Sequence, residues 1–398
     1  MSRSISAPPD VASPPAATMG ADRGERLAFI DNIRWTMVLL VLSMHACDTY
    51  GPFGSWYYRE ARPVGFGTAL TFATYQSTLQ AFFMALLFFV AGCFTVPSHD
   101  RKRCCAFLRD RALRLGVPTL LYMLLIGPLT QYFLAGSWGR GGFGHQWLRH
   151  LRSGEWLSET GPMWFCAALL AFSVAYAVFR LVQPAAATTP YHDAPPPGDG
   201  AVLVFIAAMA VATFLVRIPL PEGRAILNMQ LGDFPSYILM FAVGLLAARR
   251  RWIEMLPDSF CRRWAAWTLI PAIPLYAVLI ALGGALQGHT ADYSGGLNPV
   301  SAGKCLWEAL VCVGMSLALL AIYRNSFNTR GPLARALSNT AFGIYWIHPP
   351  VVIALTLALR AVAAPALLKA ALLTLLTAIA SFAIALLLRR TPLLRAIV

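Results

Sequence analysis

Runs of predominantly apolar residues recur along the chain at about 32–50, 70–94, 117–135, 162–182, 200–219, 233–249, 265–284, 304–323, 338–359 and 364–388. A helix of roughly 20 residues crosses a hydrocarbon core of about 30 Å. The pattern therefore predicts an all-α, polytopic membrane helix bundle of about ten transmembrane helices. Residues 1–26 are rich in Pro, Ala and Ser and lack an apolar period, so they read as a disordered tail, and 27–398 reads as one integral membrane domain. The stretch 183–200 contains Pro195-Pro196-Pro197 and reads as a loop that divides helices 1–4 from helices 5–10. No internal repeat relates the two groups.

Composition agrees with this division. Hydrophobic residues make up 58% of the chain, charged residues 13%, and the mean hydropathy is +0.59. A soluble domain carries about 25% charged residues. The net charge of +14 sits in short clusters between apolar runs, which argues for basic loops at a membrane and against a nucleic-acid partner. With residue 1 placed in the cytoplasm, Lys and Arg on the cytoplasmic segments outnumber those on the other side by about two to one. Both termini are accordingly expected in the cytoplasm and the protein in the inner or plasma membrane. A cleaved signal peptide is the rival for the first apolar run, but Met44 and His45 fit a cleavage site poorly. The eight cysteines, Cys104-Cys105 among them, show no metal-ligand spacing and read as reduced thiols. No metal and no resident cofactor are expected.

Ionisable residues within spans are costly and tend to face protein or water. Arg34 and His45 share the first span, eleven residues apart. At 100° and 1.5 Å per residue they project from one face, about 17 Å apart along the axis. Asp48, three residues beyond His45, is positioned to hold one ring nitrogen. Taken singly, Arg34 reads as a snorkelling anchor and His45 as a hydrogen-bonding partner of a neighbouring helix. Together they suit a long anionic substrate whose reactive end meets a base at membrane depth. His348, followed by Pro349-Pro350, reads as structural, bonding a carbonyl freed by proline. Glu308 is a weaker candidate near an outer helix end that solvent reaches. Arg111 and Arg114 share a face of a short helix leading into the third span. Such a pair binds phosphates, or serves only topology and anionic lipid.

These residues resemble the acyltransferase 3 family of multispanning membrane acyltransferases, and within it the branch that modifies periplasmic glucans. The resemblance covers nearly the whole chain from Leu27. It rests on Asp31-Asn32-Ile33-Arg34 followed by His45, on Phe88-Phe89-Val90-Ala91-Gly92, and on Phe107, Arg111, Arg114, Leu115 and Pro118. Gly161-Pro162-Met163-Trp164-Phe165, Gly244 ahead of Arg249-Arg250-Arg251, and Tyr345 to Pro349 complete it. Ala91 stands where the family often has Ser, and Cys166 where it often has Leu, both changes of packing scale.

The resemblance implies O-acylation, such as O-acetylation of a glucan or other polysaccharide. The acyl group would pass from cytoplasmic acyl-CoA to a hydroxyl presented at the outer face. His45 would be the essential base, oriented by Asp48; Arg34, Arg111 and Arg114 would meet the donor; Trp164, His348 and Glu308 are secondary candidates. Direct transfer and an acyl-histidine intermediate both stay open, as do the acyl group, the acceptor and the oligomeric state. The rival function is a polytopic transporter or exporter, for which the absence of a repeat and the placement of the best polar pair on a single helix count as objections.

Overall fold

The computed structural model describes residues 28–391 apart from 55, 61, 135–141, 158, 184–190 and 330. The expected tail and the middle of the 183–200 loop thus lie outside the described residues. The described residues fold into eleven principal helices. They are α1 (Ala28–Tyr50), α2 (Phe66–Asp100), α3 (Cys104–Leu134), α4 (Phe143–Ser153), α5 (Trp164–Val182) and α6 (Asp199–Arg217). After these come α7 (Phe234–Arg249), α8 (Asp258–Leu282), α9 (Pro299–Ser326), α10 (Pro332–Ala358) and α11 (Ala366–Leu388). Each expected span falls on one of them, and α4 is a short surface helix with no buried residue.

Among the described residues nine helices are long and apolar enough to cross a membrane, and α1 is not one of them. Its 23 residues carry Asp31, Arg34, His45 and Asp48. At 1.5 Å per residue α1 is nevertheless about 34 Å long, enough to span. The helices α2, α9, α10 and α11 pack around it, and most of its residues are buried. That position answers how a helix with four ionisable groups sits in a membrane bundle: protein surrounds it.

Two local features shape the core. Gly92 of α2 lies against Gly244 of α7, where a Cβ on Gly92 would stand 2.3 Å from the Phe241 carbonyl oxygen and one on Gly244 would stand 2.2 Å from that of Phe89. Small residues at both positions let the backbones touch, as in other membrane helix pairs. Next to this crossing Phe88 is fully buried among Phe165, Tyr237 and Phe172, with ring centroids 4.8, 5.0 and 5.1 Å away. The aromatic part of the second-span motif is therefore core packing.

The third span differs from its expected form. A short helix followed by a span at 117–135 was expected, but Cys104–Leu134 is one helical rod with π turns at Ala112–Gly116 and Tyr122–Ile126. Each π turn lies just ahead of a proline, Pro118 or Pro128. A proline has no N–H for the carbonyl four residues back and its ring crowds that carbonyl, so the preceding turn widens. The carbonyl that Pro128 releases, on Leu124, accepts a hydrogen bond from Trp147 Nε1 of α4 at 2.7 Å.

Candidate active site

The His45 cavity is built from the last turns of α1 and the loop that follows. His45 Nδ1 lies 3.2 Å from Asp48 Oδ2, and Gln76 Nε2 of α2 donates to Asp48 Oδ1 at 2.8 Å. Asp48 and Gln76 are buried, so both bonds are made away from water. A carboxylate only accepts, so Nδ1 is the donor in this bond. Nε2 has no hydrogen-bond partner among the described residues.

The loop after α1 closes over this dyad. Gly54 adopts φ +85°, and a Cβ there would stand 2.0 Å from Asp48 Oδ1. Glycine is required both for the left-handed backbone and for the approach. Trp56 stacks on His45 with ring centroids 3.7 Å apart, and its buried Nε1 has no partner among the described residues. The loop is fastened at its far end. Lys369 of α11 grips both carboxylate oxygens of Glu60 at 2.9 and 2.8 Å, and Arg59 donates to the Pro52 carbonyl at 2.7 Å. Tyr57 hydrogen-bonds Tyr122 at 3.1 Å, and burial pushes its phenol up to about 12, so it stays a neutral hydroxyl at physiological pH.

Beside His45 lies His348, fully buried, with ring centroids 5.3 Å apart. Its Nδ1 donates to the Tyr345 carbonyl at 2.6 Å. That is the carbonyl left free by Pro349, four residues on, so the structural part expected of His348 corresponds to an observed bond. Its Nε2 is buried without a partner among the described residues.

A cavity of about 420 Å³ opens from His45 and Asp48 toward Trp164, Gln80, Asp233 and Asn228. Trp164 follows the turn Gly161–Met163, whose Pro162 carbonyl accepts the Tyr345 hydroxyl, and it stacks on Tyr237 at 5.7 Å. A small hairpin pairs Ala225–Ile226 with Met229–Gln230 across this turn. Leu227 and Asn228 at its tip both have positive φ, which is costly for leucine. The tip is pinned by docking: the Leu227 carbonyl accepts from Thr160 Oγ1 at 2.5 Å, and Asn228 Oδ1 accepts from the Gly161 N–H at 2.8 Å.

A second cavity, of about 710 Å³, lies toward the N-terminal end of α1. Arg34, Arg101, Arg111 and Arg114 line it, with Asp110 the one acid among its lining residues. The two cavities have Val41 and Tyr345 as common walls. Along α1 the sequence Arg34, Val38, Val41, His45, Asp48 follows helical spacing on one face. The structure thus brings Arg34, Arg111 and Arg114 together at one end of this face and His45 with Asp48 at the other. Arg34 lies 3.5 Å from Asp31, and Arg114 lies 3.2 Å from Asp110. The Arg111 guanidinium stands 5.2 Å from the Phe107 ring centre, and its buried Nε has no hydrogen-bond partner among the described residues.

Glu308 is not among the residues lining either of these cavities, and the expectation that solvent reaches it does not hold. Its side chain is 13% exposed and lies 2.8 Å from Arg217 Nη1. Arg217, 2% exposed, also meets Asp233 at 2.6 Å and Glu222 at 2.9 Å, while Lys304 meets Glu222 at 2.6 Å. Burial without partners would make these charges very costly, and the mutual pairing explains their presence. In the loop, Glu222 is held below the usual carboxylate range by Lys304 and then Arg217, against the opposing effect of burial.

Sequence reasoning missed Gln76, Gln80, Trp56, Asn228 and Asp233. Gln76 and Gln80 carried a signal, since two amides one helical turn apart inside an apolar run face protein rather than lipid. The hairpin carried none, because its strands are two residues long.

Fold and site together define a multi-pass, all-α membrane protein with a His–Asp pair lining one cavity and a group of arginines lining a second that shares two of its walls. A family model described as an acyltransferase domain matches residues 27–390, and the chain belongs to this family, acyltransferase family 3. It is a membrane acyltransferase. No curated protein and no solved structure matches it.

Proposed function

We propose that the protein transfers an acyl group from acyl-CoA, bound in the arginine-lined cavity, to a hydroxyl of a carbohydrate or related acceptor in the His45 cavity. The observation that carries this reading is the meeting of the two cavities at Val41 and Tyr345, with Arg34 and His45 on a single face of α1. Arg34, Arg111 and Arg114 hold the phosphates of the donor by charge-assisted hydrogen bonds. The pantetheine arm follows α1 until the thioester reaches His45, a distance of about 17 Å along the axis. The acceptor oxygen attacks the thioester carbon as its proton passes to His45 Nε2. The C–S bond breaks, and the proton returns from Nε2 to the leaving thiolate, giving an O-acyl ester and free CoA.

Asp48 keeps Nδ1 protonated and stabilises the imidazolium formed during attack. Passage through an acyl-histidine places the same demand on Nε2, and a burst of CoA release without acceptor distinguishes it from direct transfer. The excess of Lys and Arg on the segments at the Arg34 end supports placing that end, with both termini, in the cytoplasm. The acceptor then arrives from the outer face, as for a glucan or other polysaccharide modified outside the inner or plasma membrane.

His45→Ala tests the reading. The variant is expected to lose acyl transfer by about 10³-fold, within the range for a general base, while purified protein still binds CoA. Wild-type transfer rates in that variant would remove the proposed base.

A further inference from the structure

The two cavities differ in charge. Four arginines line the first, whereas the His45 cavity has Asp48 and Asp233 and no Lys or Arg among its lining residues. The cations nearest in the chain do not change this. Arg217 lies behind Asp233 and is engaged by Asp233, Glu222 and Glu308. Arg224, between the lining residues Gly223 and Ala225, is exposed and is not itself a lining residue. An anion entering this cavity would be desolvated beside the carboxylates of Asp48 and Asp233, of which Asp233 alone is paired with a cation, Arg217, and it would meet no cation among the lining residues.

The wall facing His45 instead offers uncharged hydrogen-bonding capacity. Gln80 Nε2 donates to Asp233 Oδ2 at 2.8 Å, which leaves the Gln80 carbonyl oxygen to accept. Asp233 has further lone pairs beyond those meeting Gln80 and Arg217. Asn228 spends its carbonyl on the Gly161 N–H and keeps its amide hydrogens to donate. The stacked Trp164–Tyr237 pair supplies an apolar face beside these groups. Paired donors and acceptors next to an aromatic face match a ring bearing several hydroxyls. The charge of Asp233 is already met by Arg217, so the wall does not call for a cation.

We infer that this wall, with Gln80 and Asp233 at its centre, is the acceptor subsite, and that it takes an uncharged polyhydroxyl compound, a neutral sugar or polyol, while rejecting uronates and phosphorylated sugars. This inference rests on the acyl-transfer reading above.

The test uses the full-length protein in detergent with acetyl-CoA. It follows how strongly methyl glucoside, maltooligosaccharides and glycerol stimulate CoA release, against methyl glucuronoside, glucose 6-phosphate and glucosamine. At least one neutral acceptor is expected to exceed the anionic ones by about tenfold or more in kcat/KM, equivalent to about 1.4 kcal/mol. Gln80→Arg keeps a donor to Asp233 and adds a positive charge, and it should narrow that preference by a similar factor. Equal or better stimulation by the anionic compounds, a preference for glucosamine over methyl glucoside, or no stimulation by any neutral compound would overturn the inference. Titration of the same protein with CoA keeps the two levels apart: absence of CoA binding would overturn the donor reading itself.

Discussion

On the proposed reading, the two cavities solve different problems with the same helix. At the His45 end the His–Asp pair is held in place. Side chains of His45 and Asp48 are 18% and 7% exposed, and a chain of hydrogen bonds runs from His45 through Asp48 to Gln76. At the Arg34 end the charges are loose, with Arg34 and Arg114 side chains 49% and 72% exposed. Bond-making needs a base held to within a fraction of an ångström, so its support is built into helices and a glycine turn. Holding a polyphosphate needs field more than geometry, and long flexible side chains near water supply it. Disturbing the first region should therefore cost rate steeply, and disturbing the second should cost affinity gradually.

The largest effect is expected one layer behind the His45 cavity. Arg217→Met leaves Asp233, Glu222 and Glu308 without their shared cation, and removing one partner of a buried ion pair costs about 3–5 kcal/mol. Thermal unfolding in detergent should show the loss directly, and a transition temperature equal to wild type would mean the network is not held by Arg217. Next in size, Gly54→Ala drives a methyl group into Asp48 Oδ1. It should lower kcat by about 10²-fold, a typical share for acid–base support, with little change in the KM for acyl-CoA. An altered KM with unchanged kcat would contradict the division of labour between the cavities. Smallest, Arg111→Ala or Arg114→Ala should raise the KM for acyl-CoA by roughly tenfold, in line with a lost charge-assisted bond of about 1.5 kcal/mol. High salt should mimic the change, and a donor dependence indifferent to both substitutions would return these arginines to a topological role.

Much of this was legible in the chain. Ten apolar runs become helices because a membrane fixes their length, and the ionisable pair on α1 stood out because such groups at membrane depth need a reason. The rest was hidden for physical causes. Arg217, Glu222, Asp233, Lys304 and Glu308 are spread over more than one helix and a loop, so their pairing is a tertiary fact without local pattern. For that reason Glu308 read as solvent-accessible when its side chain is 13% exposed and paired with Arg217. The π turns of α3 follow from Pro118 and Pro128, residues visible in the sequence whose effect on a membrane helix depends on which neighbours take up the freed carbonyls. The loop that carries Trp56 to His45 is anchored where Glu60 is gripped by a lysine of the last helix, a contact across most of the chain.

The central claim is that donor and acceptor meet at His45 from opposite faces of the membrane. Reconstitution into vesicles of defined orientation tests this most directly, with labelled acetyl-CoA on the Arg34 side and an impermeant acceptor sealed on the His45 side. The account predicts labelled ester only in that arrangement and none in the His45→Ala protein. Labelled product formed only when donor and acceptor share one compartment would contradict it.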